Sequence, residues 1–218
     1  MPIYKGTFTN KTGTYPIEIL NDFKNFHFQV KDFKFTGFDL DAFELENVES
    51  FTDEDLSNFD IVKRQDYFEL TNYQLDLKIP QRLIDMDSKE EIEVDLDFHF
   101  ELSEKHEEAR IVFKINDNYF EAKNGFMELI FDNLQKQFDG KYRFKNCYGC
   151  LYGDYSVYGQ GFMGPVLCFK NQKEAYLKVQ NKDEYMDLGP QESTQQEIFC
   201  CDEYEIRDKS VGYRGTVI

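Results

Sequence analysis

The sequence lacks the residues and runs on which several common functions depend. It has no tryptophan and only three histidines, His27, His99 and His106, so candidates for an imidazole base or ligand are few. No stretch approaches the roughly 18 consecutive apolar residues of a membrane span. Residues 1–20 show no basic region followed by an apolar run, the mark of a signal peptide. A cytoplasmic protein is expected, with no membrane partner and with its thiols reduced.

The familiar catalytic motifs are also missing. The sequence contains no P-loop, no HExxH, no GxSxG nucleophile elbow and no kinase signature. Carboxylates are so numerous that no pair stands out as a general acid and base. We therefore predict a protein that is not an enzyme.

Positive charge is scarce, and the acidic excess is regional. The chain has 25 Lys and Arg against 42 Asp and Glu, a net charge of −17. Residues 38–60 carry nine acids and no base, and residues 85–108 carry eleven acids with only Lys89 and Lys105, so each segment has a charge of −9. Such a field repels nucleic acid and anionic membranes and attracts a basic partner. A solvated surface without any partner is the alternative interpretation.

What is abundant is aromatic residues and strand-like alternation. The 22 Phe and 14 Tyr favour packed sheets. Period-2 patterns predict strands at residues 25–30, 73–79 and 91–102, the second ending at Pro80 because proline cannot donate to a ladder. Residues 109–115 complete a hairpin over 103–107, in which Arg110 and Lys114 offset the acidic row of 91–102.

One helix is clear, and the character of the chain changes after it. Met127, Ile130, Phe131, Leu134 and Phe138 follow helical spacing, and Gly140 stands just past the end. A second helix is predicted in residues 50–59, capped by Ser50 or Thr52. Strand-like runs return at 165–171, 175–181 and 195–206. These patterns predict a mainly β (α+β) fold, an antiparallel β-sandwich-like body with a Cys-containing, β-rich C-terminal portion. We predict domains at 1–122 and 123–218, with one continuous domain as the open alternative.

All five cysteines lie in the last third of the chain. Cys147 and Cys150 have the spacing of a zinc knuckle, with a tight turn at Gly149. Cys168 and the adjacent Cys200 and Cys201 lie in strand-like runs that would supply the remaining thiolates. Neighbouring strand residues point to opposite faces, so one of the adjacent pair is expected to bind. Periodicity does not choose, although Cys201 is favoured because Cys200 would share its face with Ile198. The hypothesis is a structural Zn²⁺ site.

Other interpretations of the cysteines remain open. A redox CxxC normally begins a helix, whereas this one leads into a glycine-rich loop. A nucleophilic cysteine needs a histidine base, and no histidine here has an associated motif. Free cysteines are also common as small buried hydrophobes. The following stretch, 152–164, is rich in tyrosine and glycine and is interpreted as a turn over the knuckle or as a recognition loop.

The same region carries a resemblance. At "NCYGCLYGDYSVYGQG", "LCFKN" and "CDEYEIR" the chain resembles an uncharacterised family of bacterial cytosolic domains with an Asn-Cys-x-x-Cys, Asp-Tyr-Ser and Cys-Phe pattern. The pattern falls on Asn146, Cys147, Cys150, Asp154, Tyr155, Ser156, Cys168 and Phe169. The resemblance implies no known activity. In general character the chain is also similar to immunity proteins of polymorphic toxin systems, which are small and acidic.

The leading hypothesis is a cytosolic immunity or antitoxin-type protein that neutralises a basic toxin domain through its acidic surfaces. The residues expected to bind the partner are Asp39, Asp41, Glu44, Glu46, Glu93, Asp95, Asp97 and Glu101. The alternative is a small metal-dependent hydrolase that uses the acidic strand face around His99. A pocket that gathers His99 with carboxylates from several strands would favour the alternative.

Overall fold

The computed structural model describes residues 1–189 and 193–214, and strands dominate them. The strands are β1 (Ile3–Asn10), β2 (Gly13–Asn21), β3 (Phe26–Val30), β4 (Phe33–Gly37), β5 (Glu44–Leu45), β6 (Ile61–Lys63), β7 (Phe68–Leu70), β8 (Tyr73–Asp85), β9 (Glu91–Ser103), β10 (His106–Ile115), β11 (Asn118–Asn124), β12 (Tyr142–Phe144), β13 (Gly153–Asp154), β14 (Pro165–Cys168) and β15 (Ser193–Gln196). The helices are α1 (Asp53–Asn58), α2 (Met127–Gln137), α3 (Lys173–Tyr176) and α4 (Lys182–Met186). Within these residues no helix combines the length and apolar character needed to cross a membrane.

One large antiparallel sheet forms the body. Its strand order is β11-β10-β9-β8-β1-β2-β3-β4-β5-β7-β6, and β12 joins it by pairing with β8. A separate small sheet has the order β13-β14-β15. The predicted mainly β, sandwich-like fold is confirmed.

The alternation in β9 places its apolar side chains in the core. Val94, Leu96, Phe98 and Phe100 are buried, and the acidic residues between them face outwards. The predicted hairpin to β10 is present with a tighter turn than expected, because Ser103 already pairs with the residue at 106. Beyond this hairpin, β11 forms the edge of the large sheet.

The prediction that Pro80 ends its strand is wrong. β8 continues for five residues beyond it, and Pro80 lies opposite Asp95 of β9. On its other side β8 pairs with β1 only up to Leu77 and with β12 only from Leu83, so no neighbouring strand needs the missing N–H at residue 80. The carbonyl of Pro80 accepts a hydrogen bond from the side-chain amide of Gln81.

The helices follow their sequence signals. The apolar stripe of α2 is buried against β10, β11 and β12, and Gly140 has a φ of +79°, the left-handed conformation that ends a helix. In α1 the Thr52 side chain accepts from the backbone N–H of Asp55 while the Asp55 carboxylate accepts from Thr52 N–H. Thr52, and not Ser50, is therefore the cap, in a reciprocal capping box.

Two strand predictions in the C-terminal portion are wrong. Residues 175–181 contain the end of α3 and a turn, and their buried residues Tyr176 and Val179 have helical spacing. The run 195–206 is a strand only as far as Gln196. The next two residues, Glu197 and Ile198, are both buried, whereas successive residues of a strand point to opposite faces.

The core crosses the predicted domain boundary. The main hydrophobic cluster includes Phe113 of β10 and Phe138 after α2, whose ring centroids are 6.1 Å apart. A smaller cluster, which includes Tyr176 and Tyr185, lies within the C-terminal portion. The division at 122 and 123 stays a prediction.

Candidate functional site

The eight acids predicted to bind a partner separate into different environments. Glu44 and Glu46 are exposed at β5, as expected of a binding surface. Asp39 and Asp41, only a few residues earlier, are half-buried beneath the loop 159–164. The remaining four lie on the outer face of β9.

The loop at 159–164 packs its backbone directly on Asp39 and Asp41. A side chain at Gly161 would collide with both carboxylates, so glycine permits the close approach. The N–H of Phe162 donates to Asp41 Oδ1 at 2.7 Å, and the N–H of Leu40 donates to the Phe162 carbonyl at 2.9 Å. These contacts join residues about 120 positions apart, and apart from the glycine the sequence holds no signal of them.

Burial changes the protonation of these two carboxyls. It raises the pKa of Asp41 well above its ordinary value, and the neighbouring charges of Asp39 and Glu107 raise it further. The pKa of Asp39 is raised for the same reason, by burial first and by Glu107 second. Glu107 belongs to the second acidic segment of the sequence. The fold therefore brings the two acidic segments together at Asp39, Asp41 and Glu107.

Beside this cluster lies a cavity of about 930 Å³, here named the acidic groove. It runs between β6 and β7 on one side and the end of the β9–β10 hairpin on the other, and Asp41 lies in its wall. Its charged lining residues are Lys11, Asp41, Asp60, Lys63, Arg64, Glu69, Glu104 and Glu107. Two ion pairs satisfy part of this charge, Lys11–Asp60 at 2.9 Å and Arg64–Glu69 at 2.5 Å.

Three carboxyls of the acidic groove have no ion pair among the described residues. They are Asp41, Glu104 and Glu107. The third base, Lys63, has its ammonium 5.7 Å from the centre of the Phe68 ring. The acidic groove consequently carries excess negative charge at the end of the β9–β10 hairpin, where Glu104 and Glu107 lie.

The outer face of β9 is mixed in charge. Lys78 of β8 binds Asp97 at 2.8 Å, whereas Arg110, expected to offset the acidic row, pairs with Glu121 of β11 at 2.7 Å. Lys114 likewise turns to its own hairpin and pairs with Asp117. Much of the predicted neutralisation therefore comes from β8. The acids that remain without an ion pair on this face, among the described residues, are Glu93, Asp95 and Glu101.

His99 lies on the same outer face. Its Nδ1 is 2.8 Å from Asp76 Oδ1 of the neighbouring strand, and both side chains are partly exposed. They border an open cavity of about 500 Å³ that also contains Thr7 of β1 and Arg110 of β10. The register of the sheet places four polar residues side by side on adjacent strands, in the order Thr7, Asp76, His99 and Arg110.

Four of the five cysteines line one small cavity of about 190 Å³. They are Cys147, Cys150, Cys168 and Cys201. Cys200 lines a different cavity, with Arg82 and Lys145. In residues 1–189 and 193–214, no three His, Cys, Asp or Glu side chains are close enough, as they stand, to hold a metal ion. The zinc hypothesis stays a prediction.

A buried polar network that the sequence did not reveal lies next to the thiols. Asp154 is fully buried, and its Oδ2 accepts hydrogen bonds from the Tyr176 hydroxyl and from the Tyr213 N–H, both at 2.8 Å. Tyr155 is also buried and donates to Glu197. Tyr158 is 87% exposed. The tyrosine-glycine stretch is therefore largely a packed turn with one exposed ring.

These features define a class: a mainly β protein built on one large antiparallel sheet, with a charged groove at the sheet edge and a C-terminal portion that carries the thiols. The model of DUF6304, a family of unknown function, matches residues 2–153, and the chain belongs to this family. No curated protein and no solved structure matches the chain.

The family match covers residues 2–153, whereas the resemblance expected from the sequence lies mostly beyond them. It contains both acidic segments and the whole of the large sheet. It also contains Cys147 and Cys150 but ends before Cys168 and Cys201. Membership of an uncharacterised family is confirmed, while the Asn-Cys-x-x-Cys pattern and the likeness to immunity proteins stay predictions.

Proposed function

We propose that this protein is a non-enzymatic binding protein of the immunity or antitoxin type, and that its acidic groove engages a basic domain of a bacterial toxin. The partner would be a protein, and neither nucleic acid nor a membrane surface is expected to bind. Glu44, Glu46 and the outer face of β9 would extend the negative surface. The zinc-binding part of the hypothesis rests on the cysteines and is a separate proposal.

The observation that carries the proposal is the meeting of the two acidic segments at Asp41 and Glu107. A protein that needs charge only for solubility gains nothing from burying one carboxyl beside others, because burial and the charges of Asp39 and Glu107 raise the pKa of Asp41. A Lys or Arg side chain of a partner would remove this cost. It would pair with carboxyls that have no ion pair in the described structure, in a cavity of about 930 Å³ that accommodates several side chains.

Electrostatics also gives the expected character of the interaction. Complementary charge raises the association rate and makes it dependent on salt. Because burial raises the pKa of Asp41, insertion of a cation would favour release of its proton. Binding to this groove is therefore expected to release protons near neutral pH and to strengthen as the pH rises.

The proposal is tested by capture from a lysate of the source organism. We expect the wild-type chain to retain a basic protein, and a double variant Glu104→Lys, Glu107→Lys to lose it by at least tenfold, because the positive potential would repel the partner. Both positions are exposed, so the fold should tolerate the change. The retained protein is identified by mass spectrometry. The number of protons released when it binds the wild-type chain is then measured by calorimetry in buffers of different ionisation enthalpy.

The matched control is Asp87→Lys, Glu90→Lys in the exposed turn between β8 and β9, which makes the same change in net charge outside the groove and outside the predicted binding residues. It should retain the partner within about threefold in affinity. Recovery of no basic protein by the wild type, or equal loss in both double variants, would contradict the proposal.

The His99–Asp76 pair favours a second candidate, the metal-dependent hydrolase. A carboxylate 2.8 Å from a partly exposed histidine, in an open cavity with Asp97 and Arg110, is an arrangement that orients an imidazole for proton transfer. Wild-type protein with Mn²⁺ or Zn²⁺ would then hydrolyse nitrophenyl esters or phosphates, and His99→Ala would reduce the rate at least a hundredfold. His106→Ala, an exposed histidine outside this cavity, should leave the rate unchanged. Absence of turnover in wild type across the panel removes this candidate.

A further inference from the structure

Four thiols from three separate parts of the chain border one small cavity. Cys147 and Cys150 lie in the loop after β12, Cys168 ends β14, and Cys201 follows β15. The first two are buried and the other two are half-buried. Isolated cysteines used as small hydrophobes have no reason to gather around one cavity, so their convergence needs an explanation.

Backbone contacts hold these segments together. The N–H of Cys147 donates to the Phe199 carbonyl at 2.6 Å, which brings the knuckle to the segment before Cys201. Cys168 pairs with Gly153 across the small sheet. A side chain at Gly149 would collide with the Phe144 carbonyl, so the turn between Cys147 and Cys150 requires glycine at that position. The arrangement of the thiols is thus built into the fold.

The cavity between the thiols has a thiol-rich lining with little positive charge. The one lysine that lines the cavity, Lys170, forms an ion pair with Glu203 at 3.4 Å. A divalent cation among the thiols would stabilise every thiolate that contacts it.

We propose that Cys147, Cys150, Cys168 and Cys201 bind one Zn²⁺ ion through four thiolates. Four protein ligands leave no open position on a tetrahedral ion, so the site would be structural. In the described residues the thiols surround the cavity without yet meeting at one point, and the ion would draw them inwards. The proposal stands on residues outside the acidic groove and does not depend on the binding function.

Cys200 is excluded from the set by its position. Its Sγ points towards the Cys201 carbonyl at 3.6 Å, and it lines the cavity that contains Arg82 and Lys145. Periodicity left the choice between the two adjacent cysteines open, and the lining of the cavity favours Cys201. Cys200 also provides the position for a control variant, because it is adjacent to Cys201 in the sequence and is likewise partly exposed.

The test is the metal content of full-length protein purified under reducing conditions without added metal. We expect one equivalent of zinc in the wild type and in Cys200→Ser, and a loss of at least tenfold in bound zinc in Cys201→Ser and Cys168→Ser. Replacement by Co²⁺ should give the absorption of a tetrahedral four-thiolate complex in the wild type and in Cys200→Ser. Far-UV circular dichroism establishes that each variant is folded.

A measurement on the wild type alone guards against variants that do not fold. Titration with an organomercurial should release the zinc to a metal indicator in step with the modification of four thiols. Less than about 0.1 equivalent of metal in the wild type would overturn the proposal. So would a Cys200→Ser variant that loses zinc as completely as Cys201→Ser, or the finding of Cys–Cys disulfides among the four residues in place of metal.

Discussion

Arg207→Ala is expected to lower the free energy of unfolding by about 3–5 kcal/mol. The side chain is only 3% exposed, and its guanidinium occupies the centre of the C-terminal portion. Its Nη2 donates to the carbonyls of Leu151 at 3.0 Å and Gly153 at 2.5 Å, and its Nη1 donates to that of Val211 at 3.0 Å. Removing the guanidinium leaves these buried acceptors without a donor, and each costs about 1–3 kcal/mol.

The loss extends to the buried carboxylate network. Nη2 of Arg207 also donates to the Tyr176 hydroxyl at 2.7 Å, and that hydroxyl donates to Asp154. Asp154 in turn accepts from the N–H groups of Tyr213 and Arg214, which holds the last described residues against the loop after β12. A lysine at position 207 offers one ammonium in place of the planar fork and should recover only part of the stability.

The measurement is urea denaturation followed by far-UV circular dichroism, with limited proteolysis to locate the damage. Arg110→Ala is the matched control, since it removes an exposed arginine with a single ion pair to Glu121 and should cost less than about 1 kcal/mol. We expect cleavage in Arg207→Ala to begin beyond Asp154, while the large sheet stays protected. Equal stability of the two variants would contradict the proposed role of the network.

The parts of the fold that the sequence predicted are those specified by local patterns. The alternation of β9 reports which side chains are buried because every second residue points to one face. The stripe of α2 and the stop at Gly140 are equally local. Where the alternation is broken by three consecutive buried residues, Gln196, Glu197 and Ile198, the strand prediction failed.

Long-range packing explains most of what could not be predicted. Asp39 and Asp41 look like ordinary surface acids, and their burial depends on a loop about 120 residues away. Pro80 is tolerated because its strand has no neighbour on one side at that position, a property of the whole sheet. In the candidate thiol site, spacing predicted Cys147 and Cys150, and the face shared with Ile198 favoured Cys201 over Cys200. That Cys201 lines the same cavity as the knuckle while Cys200 lines another depends on the fold.

Glu197→Gln is expected to make the protein more stable than the wild type above pH 8 and to flatten the dependence of stability on pH. Glu197 is completely buried directly after β15, where its N–H donates to the Gly164 carbonyl at the end of the loop 159–164. Its Oε1 accepts from the Tyr155 hydroxyl at 2.5 Å, while its Oε2 has no hydrogen-bond partner in the described structure. Burial raises its pKa to about 8.

The direction in which stability changes with pH follows from the raised pKa of Glu197. An unfolded Glu releases its proton near pH 4.5, whereas the folded protein retains it until about pH 8. Between these values unfolding releases a proton, so rising pH favours the unfolded chain by about 1.4 kcal/mol per pH unit. The stabilisation is complete below pH 4.5, falls through the window, and is lost above pH 8. Glutamine keeps the acceptor for Tyr155 but cannot ionise, so at pH 9 the variant should exceed the wild type by on the order of 2–5 kcal/mol.

Urea midpoints measured from pH 4.5 to pH 9 test this, with the exposed Glu46→Gln as the control for a lost carboxylate. Asp39 and Asp41, whose pKa values are also raised, add to the slope of the wild type. The difference between Glu197→Gln and wild type isolates Glu197, because the other two carboxyls are present in both proteins. Parallel curves for the two proteins would show that Glu197 is ionised in the fold at neutral pH. A convergence at low pH with separation at high pH would identify it as a neutral acid that binds Tyr155 in the folded protein.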